Sequence, residues 1–220
     1  MDENTPVRTL EARGVAVRNR HRTLLGPTSL TVQSGQISVA YGDPGYGHTA
    51  LALVLAGRLK PDRGSVTIGG IAAPKARQGT VALVDVPGVS EPDPRNRLRT
   101  IVGEELAMAG FPAQRRKVKS WLHEQGYADF GKERIEDLPG AVRIAVLARL
   151  AALRDDVAFA VMSLPELHGG LPEWWLETAK VLTDENIGVL VTTSISVANN
   201  LTDIPTYPFG AAATEAEDQA

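Results

Sequence analysis

The stretch ISVAYGDPGYGHTALALVLAGR, residues 37–58, decides the fold. Its first five residues are a short β-rich run that stops abruptly at Gly42-Asp43-Pro44-Gly45-Tyr46-Gly47. Thr49–Arg58 is apolar except at its ends and reads as a buried helix, closed by Gly57 or by Pro61 beyond it. A strand, a glycine turn and a helix in that order let backbone N–H groups wrap an anion, with the positive end of the helix behind them. Gly42 to Thr49 fits the phosphate-cradling pattern G-x-x-x-x-G-K-[ST] at every defined position except one. The residues placed at a ligand are Gly42, Asp43, Pro44, Gly45, Tyr46, Gly47, His48, Thr49 and Ala50, and the Thr49 hydroxyl is the weak candidate for Mg²⁺. The exception is the lysine, which is His48. A lysine brings a full charge on a long stem to the β- and γ-phosphates. Histidine is shorter and mostly neutral near pH 7, and a helix N-terminus lowers its pKa further. The bland alternative is a glycine turn that joins strand to helix and binds nothing.

Outward from this loop the chain alternates. On the N-terminal side, Val7–Ala12 and Ser29–Val32 read as strands with a turn at Gly26-Pro27. On the C-terminal side, Ser65–Ile68 reads as a strand, Gly69-Gly70 as a hairpin turn and Thr80–Val86 as an apolar strand. Residues 87–99 are a polar, proline-rich loop, and from Thr100 to about Arg134 the apolar spacing becomes helical. Ala141–Arg154 is an Ala/Leu-rich helix, Val157–Met162 and Ile187–Thr193 are buried strands, and Pro172 opens the helix Glu173–Leu182. Apolar strands alternating with helices predict an α/β fold: a mainly parallel sheet flanked by helices, an antiparallel β layer beside it, and a helical subdomain. The expected organisation is one domain over 1–220, with a core lobe from 1–86 and 141–205, a helical lobe over 87–140, and a frayed tail over 206–220.

Composition narrows the function classes. With 220 residues, 43% of them hydrophobic, the chain suffices for one globular domain, and a net charge of −3 excludes a strongly basic nucleic-acid surface. No cysteine is present, so no disulfide, thiolate nucleophile or Cys-based zinc site exists. The longest apolar runs, around Ala50–Ala56, Val157–Leu164 and Ile187–Val191, are far short of the ~18–20 residues that span a bilayer. The opening MDENTPVR is acidic and lacks an apolar signal core. His21, His48, His123 and His168 form no metal-binding pair, and Ser163, Ser194 and Ser196 lie in no G-x-S-x-G. Of the adjacent Trp174 and Trp175, one is expected in the core and one half-exposed.

Four stretches together resemble the ATPase subunits of ATP-binding cassette (ABC) transporters: residues 22–70, TIVGEEL at 100–106, AVRIAVLARLAALRDDVAFAVMSLPE at 141–166, and IGVLVTTS at 187–194. The resemblance implies the P-loop cassette fold, ATP as ligand, and association with another cassette or a membrane permease at the cytoplasmic side of a membrane, without nucleic acid and without membrane insertion. It also implies working residues that are replaced. The Walker A lysine is His48. The region of the adenine-stacking aromatic reads Val17-Arg18-Asn19-Arg20-His21. The Q-loop glutamine matches Val86, and the signature is reduced to Leu138-Pro139-Gly140-Ala141-Val142. Walker B ends Ser163-Leu164-Pro165 in place of Asp-Glu-Pro, and Glu166, two positions later, has no geometric reason to substitute. The D-loop keeps Gly170-Leu171 followed by Pro172, and the switch histidine is Ser194. Losing the lysine, the metal carboxylate, the base and the switch removes most of what phosphoryl transfer needs. The expectation is a hydrolysis-deficient cassette with no catalytic residue and no magnesium, acting as a regulatory or structural partner. The alternative is an ATP-hydrolysing transporter subunit with divergent motifs. Basic runs at Arg95–Arg99 and Arg115–Lys119 lie where the resemblance places a permease contact.

Overall fold

The computed structural model describes residues 7–20, 22–169 and 171–210. Five strands form a sheet in the order β5-β6-β7-β3-β8: β5 (Val81–Val84), β6 (Phe159–Ser163), β7 (Gly188–Ser194), β3 (Ile37–Gly42) and β8 (Thr206–Pro208). Every pairing in it is parallel. The central strands are apolar throughout because both faces are covered. Along β6 the side chains alternate, Phe159 and Val161 entering one core and Ala160 and Met162 the other.

The first core lies between this sheet, the helix α1 (Tyr46–Leu55) and a three-stranded antiparallel sheet. That second sheet has the order β2-β1-β4, from β1 (Thr9–Asn19), β2 (Arg22–Gln33) and β4 (Arg63–Ile68). The opposite core joins the parallel sheet to α5 (Gly140–Ala151) and α6 (Pro172–Asp184), and continues into α3 (Leu98–Met108) and α4 (Arg115–Glu124). A four-residue helix, α7 (Ile195–Ala198), follows β7. Trp175 is fully buried in α6 and Trp174 half-buried, as the spacing implied. No helix among the described residues is long and apolar enough to cross a membrane.

Three expectations need correction. Gly26-Pro27 is not a turn but lies inside β2. The β1 ladder jumps from Val17↔Leu25 to Val15↔Thr28 across these residues, and β2 is an edge strand, where a proline without an N–H is tolerated. Thr80–Val86 is not all strand: a helix α2 (Pro74–Thr80) comes first, and β5 spans only Val81–Val84. The tail expected over 206–220 begins as structure. Thr206–Pro208 pairs with β3, the Phe209 amide donates to the Tyr41 carbonyl at 3.0 Å, and the Phe209 side chain is buried. Residues 211–220 lie outside the described ones.

Candidate functional site

At the carboxyl end of β3 the chain leaves the sheet at Gly42, turns through Asp43, Pro44 and Gly45, and enters α1. Gly45 sits at φ 153°, a conformation that side chains disfavour. No side chain caps the start of α1 and no acidic residue occupies its first turn. Its leading N–H groups therefore lack a side-chain acceptor, which is what an anion site at a helix N-terminus requires.

His48 turns inward. The residue is 1% exposed, and neither Nδ1 nor Nε2 has a hydrogen-bond partner. Its ring stands edge-on to Phe209, with centroids 4.7 Å apart and planes at 88°. Burial holds the His48 pKa below the ordinary histidine value. The Asp43 carbonyl, the Glu166 carboxylate and the Gly42 carbonyl pull the other way and do not prevail. The direction matches the sequence expectation, but its cause is desolvation rather than the helix end.

Phe209 also accounts for two of the glycines. A Cβ built on Gly42 would meet three ring atoms at 2.4, 2.7 and 2.8 Å, and one on Gly47 would lie 2.9 Å from the same ring. The remaining loop residues sit as the pattern implies: Asp43, Pro44 and Gly45 exposed, Gly47 and Thr49 half-buried, Ala50 buried. Tyr46 belongs to the first turn of α1.

The second wall comes from the ends of β6 and β7. Ser163 is buried, and its Oγ lies 3.1 Å from Thr192 Oγ1, so the hydroxyl is engaged inside the sheet. Leu164 follows in the left-handed region (φ 50°, ψ 55°) and starts a short 3₁₀ turn, Pro165–His168. That reversal brings Glu166 back over β7. Thr193 Oγ1 donates to Glu166 Oε1 at 2.8 Å, and the Ser194 amide donates to the same oxygen at 3.0 Å. Oε2 is buried without a partner. The sequence offers no geometric reason for Glu166 to replace the missing carboxylates, and in the structure its Oε1 is engaged by Thr193 and Ser194 at the end of β7. Ser194 Oγ pairs with Ser196 Oγ at 3.1 Å.

Beside this wall, Asp85 follows β5 at φ 50°, and it rather than Val86 faces the start of α5. Arg143 donates to it twice, Nε to Oδ2 and Nη2 to Oδ1, each at 2.8 Å, and both residues are 5% exposed. Glu91 lies 3.7 Å from Arg143, and His168 lies 3.7 Å from Asp85. Val86 is fully buried, and Leu138 is buried just before Gly140 opens α5. Two positions singled out earlier, His21 and Gly170, lie outside the described residues.

These groups can be tested against the ligands that the loop pattern implies. A phosphate chain fits the uncapped amides at the start of α1. A divalent cation would find few protein donors here and would lean on the ligand's phosphates and on water. Ser163 is tied to Thr192, Thr49 offers one hydroxyl, Glu166 offers one free oxygen, and no group of three His, Cys, Asp or Glu side chains is gathered for a metal among the described residues.

Comparison with known proteins agrees with this architecture. The model of the ABC transporter family matches residues 25–160, well over half of the chain. A relative, the taurine import ATP-binding protein TauB of Burkholderia pseudomallei, is 32% identical over 157 residues, covering 68% of this chain and 57% of that protein. The nickel import ATP-binding protein NikE of Rhodospirillum rubrum is 30% identical over 96 residues, 40% of this chain and 35% of that protein. The chain thus spans just over half the length of the taurine relative. A nucleotide-free ATP-binding cassette from an ABC transporter superposes with a TM-score of 0.67 over 93% of this chain and 90% of its own, at 17% identity, a likeness of fold alone. With a parallel sheet, an antiparallel layer and a strand–loop–helix in the expected order, the chain belongs to the ABC transporter family and has its ATP-binding cassette fold.

Proposed function

We propose that the chain is a cassette that binds nucleotide phosphates at residues 42–50 but does not hydrolyse ATP, and that it serves an active cassette or a membrane permease as a regulatory or structural partner. The observation that carries this is the position of Ser163. It stands where the family's Walker B aspartate would hold a metal, and its hydroxyl is spent on Thr192 inside the sheet. Catalysis of phosphoryl transfer is mostly positioning and charge neutralisation. Here the lysine is a buried histidine, and a serine bonded to Thr192 stands in place of the metal carboxylate.

The relatives are import ATP-binding proteins by name, which favours an importer as the assembly and the cytoplasmic side of the membrane as its place. The division into a core lobe (1–86 and 141–205) and a helical lobe (87–140) is part of the same proposal; the basic runs Arg95–Arg99 and Arg115–Lys119 lie on the latter.

Thermal unfolding with nucleotide, with and without Mg²⁺, tests the reading. Ligand at 100 times its Kd stabilises by about 2.7 kcal/mol. The expected outcome is a shift with nucleotide that Mg²⁺ does not change. A shift that requires Mg²⁺, together with phosphate release, establishes the alternative of a working ATPase with divergent motifs.

A further inference from the structure

We propose that the cleft between α3 and α4 is a binding site for a small organic anion with an apolar body, an alkyl carboxylate in class. It is independent of residues 42–50 and of any nucleotide bound there.

The cleft has a volume of about 860 Å³, within the size range of small-molecule sites, and its lining residues all fall between Arg99 and Lys132. Its floor is apolar. Val118 and Leu122, one turn apart on α4 and both nearly buried, lie along it. Its rim is cationic. Arg99 of α3, Arg115 and Lys119 of α4, and Lys132 line it with exposed side chains, and Glu104 is the one carboxylate among the lining residues. A local excess of three positive charges thus gathers in a chain whose net charge is −3. None of the four cations makes an ion pair among the described residues.

Internal stability does not explain this charge. Arg115 and Lys119 stand one helical turn apart, a spacing at which like charges repel. Arg115, Arg116 and Lys117 also fill the first turn of α4, where the helix dipole disfavours cations, and no acidic residue offsets them there. A carboxylate among these side chains would relieve the repulsion.

Gly103 supplies an independent observation on the opposite wall. It lies within α3, where glycine is a poorer helix former than alanine. A Cβ built on it would meet Val118 Cγ2 at 3.5 Å and the Ala113 carbonyl oxygen at 3.9 Å, ordinary contacts, and its φ is not positive. Neither packing nor backbone conformation therefore demands the glycine. Its missing side chain leaves room in the cleft. A ligand with an apolar chain and one negative head matches both features. The chain covers Val118, Leu122 and the space beside Gly103, and the head meets the cations of the rim. Inorganic phosphate would leave the floor uncovered, and a neutral hydrocarbon would leave the charges unrelieved.

The test is isothermal calorimetry on the full chain with decanoate, below its micelle-forming concentration, and with decyltrimethylammonium, which has the same chain length and the opposite charge. Decanoate is expected to bind saturably, one molecule per chain, and at least about tenfold more tightly than the ammonium. The double variant Arg115→Gln/Lys119→Gln changes only exposed side chains and should weaken decanoate by about tenfold or more. Gly103→Leu fills the wall and should weaken it as much without removing a charge; the charge variant keeps the test decisive if this one does not fold. Equal binding of the two amphiphiles, several decanoates per chain, no saturable decanoate binding, or an affinity that the charge variant leaves unchanged overturns the inference. Capture of the chain by vesicles of anionic phospholipid, with no binding of free decanoate, overturns it too and makes the rim a membrane-contact surface. Each of these results leaves the reading of residues 42–50 untouched.

Discussion

Replacing Gly42 by alanine separates two reasons for a glycine at the mouth of the loop. The added Cβ would meet Phe209 ring carbons at 2.4, 2.7 and 2.8 Å, about 1 Å inside ordinary contact. The ring has little room to retreat. Its own backbone is bonded to Tyr41, it packs T-shaped against the buried His48 ring, and Gly47 closes on it from the helix side. Gly42 is not among the residues with positive φ, so alanine brings no backbone strain there. Overpacking of this kind costs about 1–3 kcal/mol, and the boxed ring puts Gly42→Ala near 3. Phe209→Ala alone should cost about 3–5 kcal/mol. In the Phe209→Ala background Gly42→Ala should then cost less than about 1 kcal/mol, a coupling of roughly 2. Urea unfolding followed by tryptophan fluorescence measures all four proteins, with the buried Trp175 as reporter. Additive costs in the two backgrounds would refute the claim that Phe209 dictates the glycine.

Asp85→Ala should cost about 3 kcal/mol. Removing one partner of a buried pair costs about 3–5, and the half-exposed Glu91 takes up part of the Arg143 charge. In Asp85→Ala/Arg143→Met the loss should fall by half or more, and urea midpoints of the two proteins check it. His48 gives a pH dependence of defined sign. Its folded pKa is depressed, so the unfolded chain binds the proton first. Its contribution is complete above the unfolded value near 6.5 and is lost as pH falls below it. Glu105, whose carboxyl burial raises, contributes with the opposite sign, so the comparison that isolates His48 is the parent chain against His48→Gln. The difference in unfolding free energy between them should shrink between pH 7 and pH 5, and a constant difference contradicts the buried, neutral histidine. By NMR, the His48 ring should titrate below an ordinary histidine.

The strand–loop–helix was legible because it is local. β3, the glycines and α1 are consecutive, and each declares itself through apolar runs and turn residues. The alternation of strands and helices extended that reading to the parallel sheet. What escaped depends on contacts between distant segments. Gly26-Pro27 looks like a turn to any local rule, and only the edge position of β2 makes it strand. Seven-residue α2 buries one residue, Arg77, whose Nη1 donates to the Val66 carbonyl, so it carries no apolar periodicity to detect. Phe209 follows a three-residue strand held by β3, too short for a pattern. The bonds of Glu166 to β7 were not visible, because its position depends on one left-handed residue, Leu164, with no glycine or asparagine to signal it. The pairing of Asp85 with Arg143, 58 positions apart, left no trace in spacing.

Single-turnover phosphate release, with the chain in excess over γ-labelled ATP and Mg²⁺ present, probes the proposed lack of hydrolysis most directly. With His48 buried beside Phe209 and Ser163 bonded to Thr192, release should not exceed that of buffer alone. Mg²⁺-dependent release that disappears in His48→Ala would contradict it.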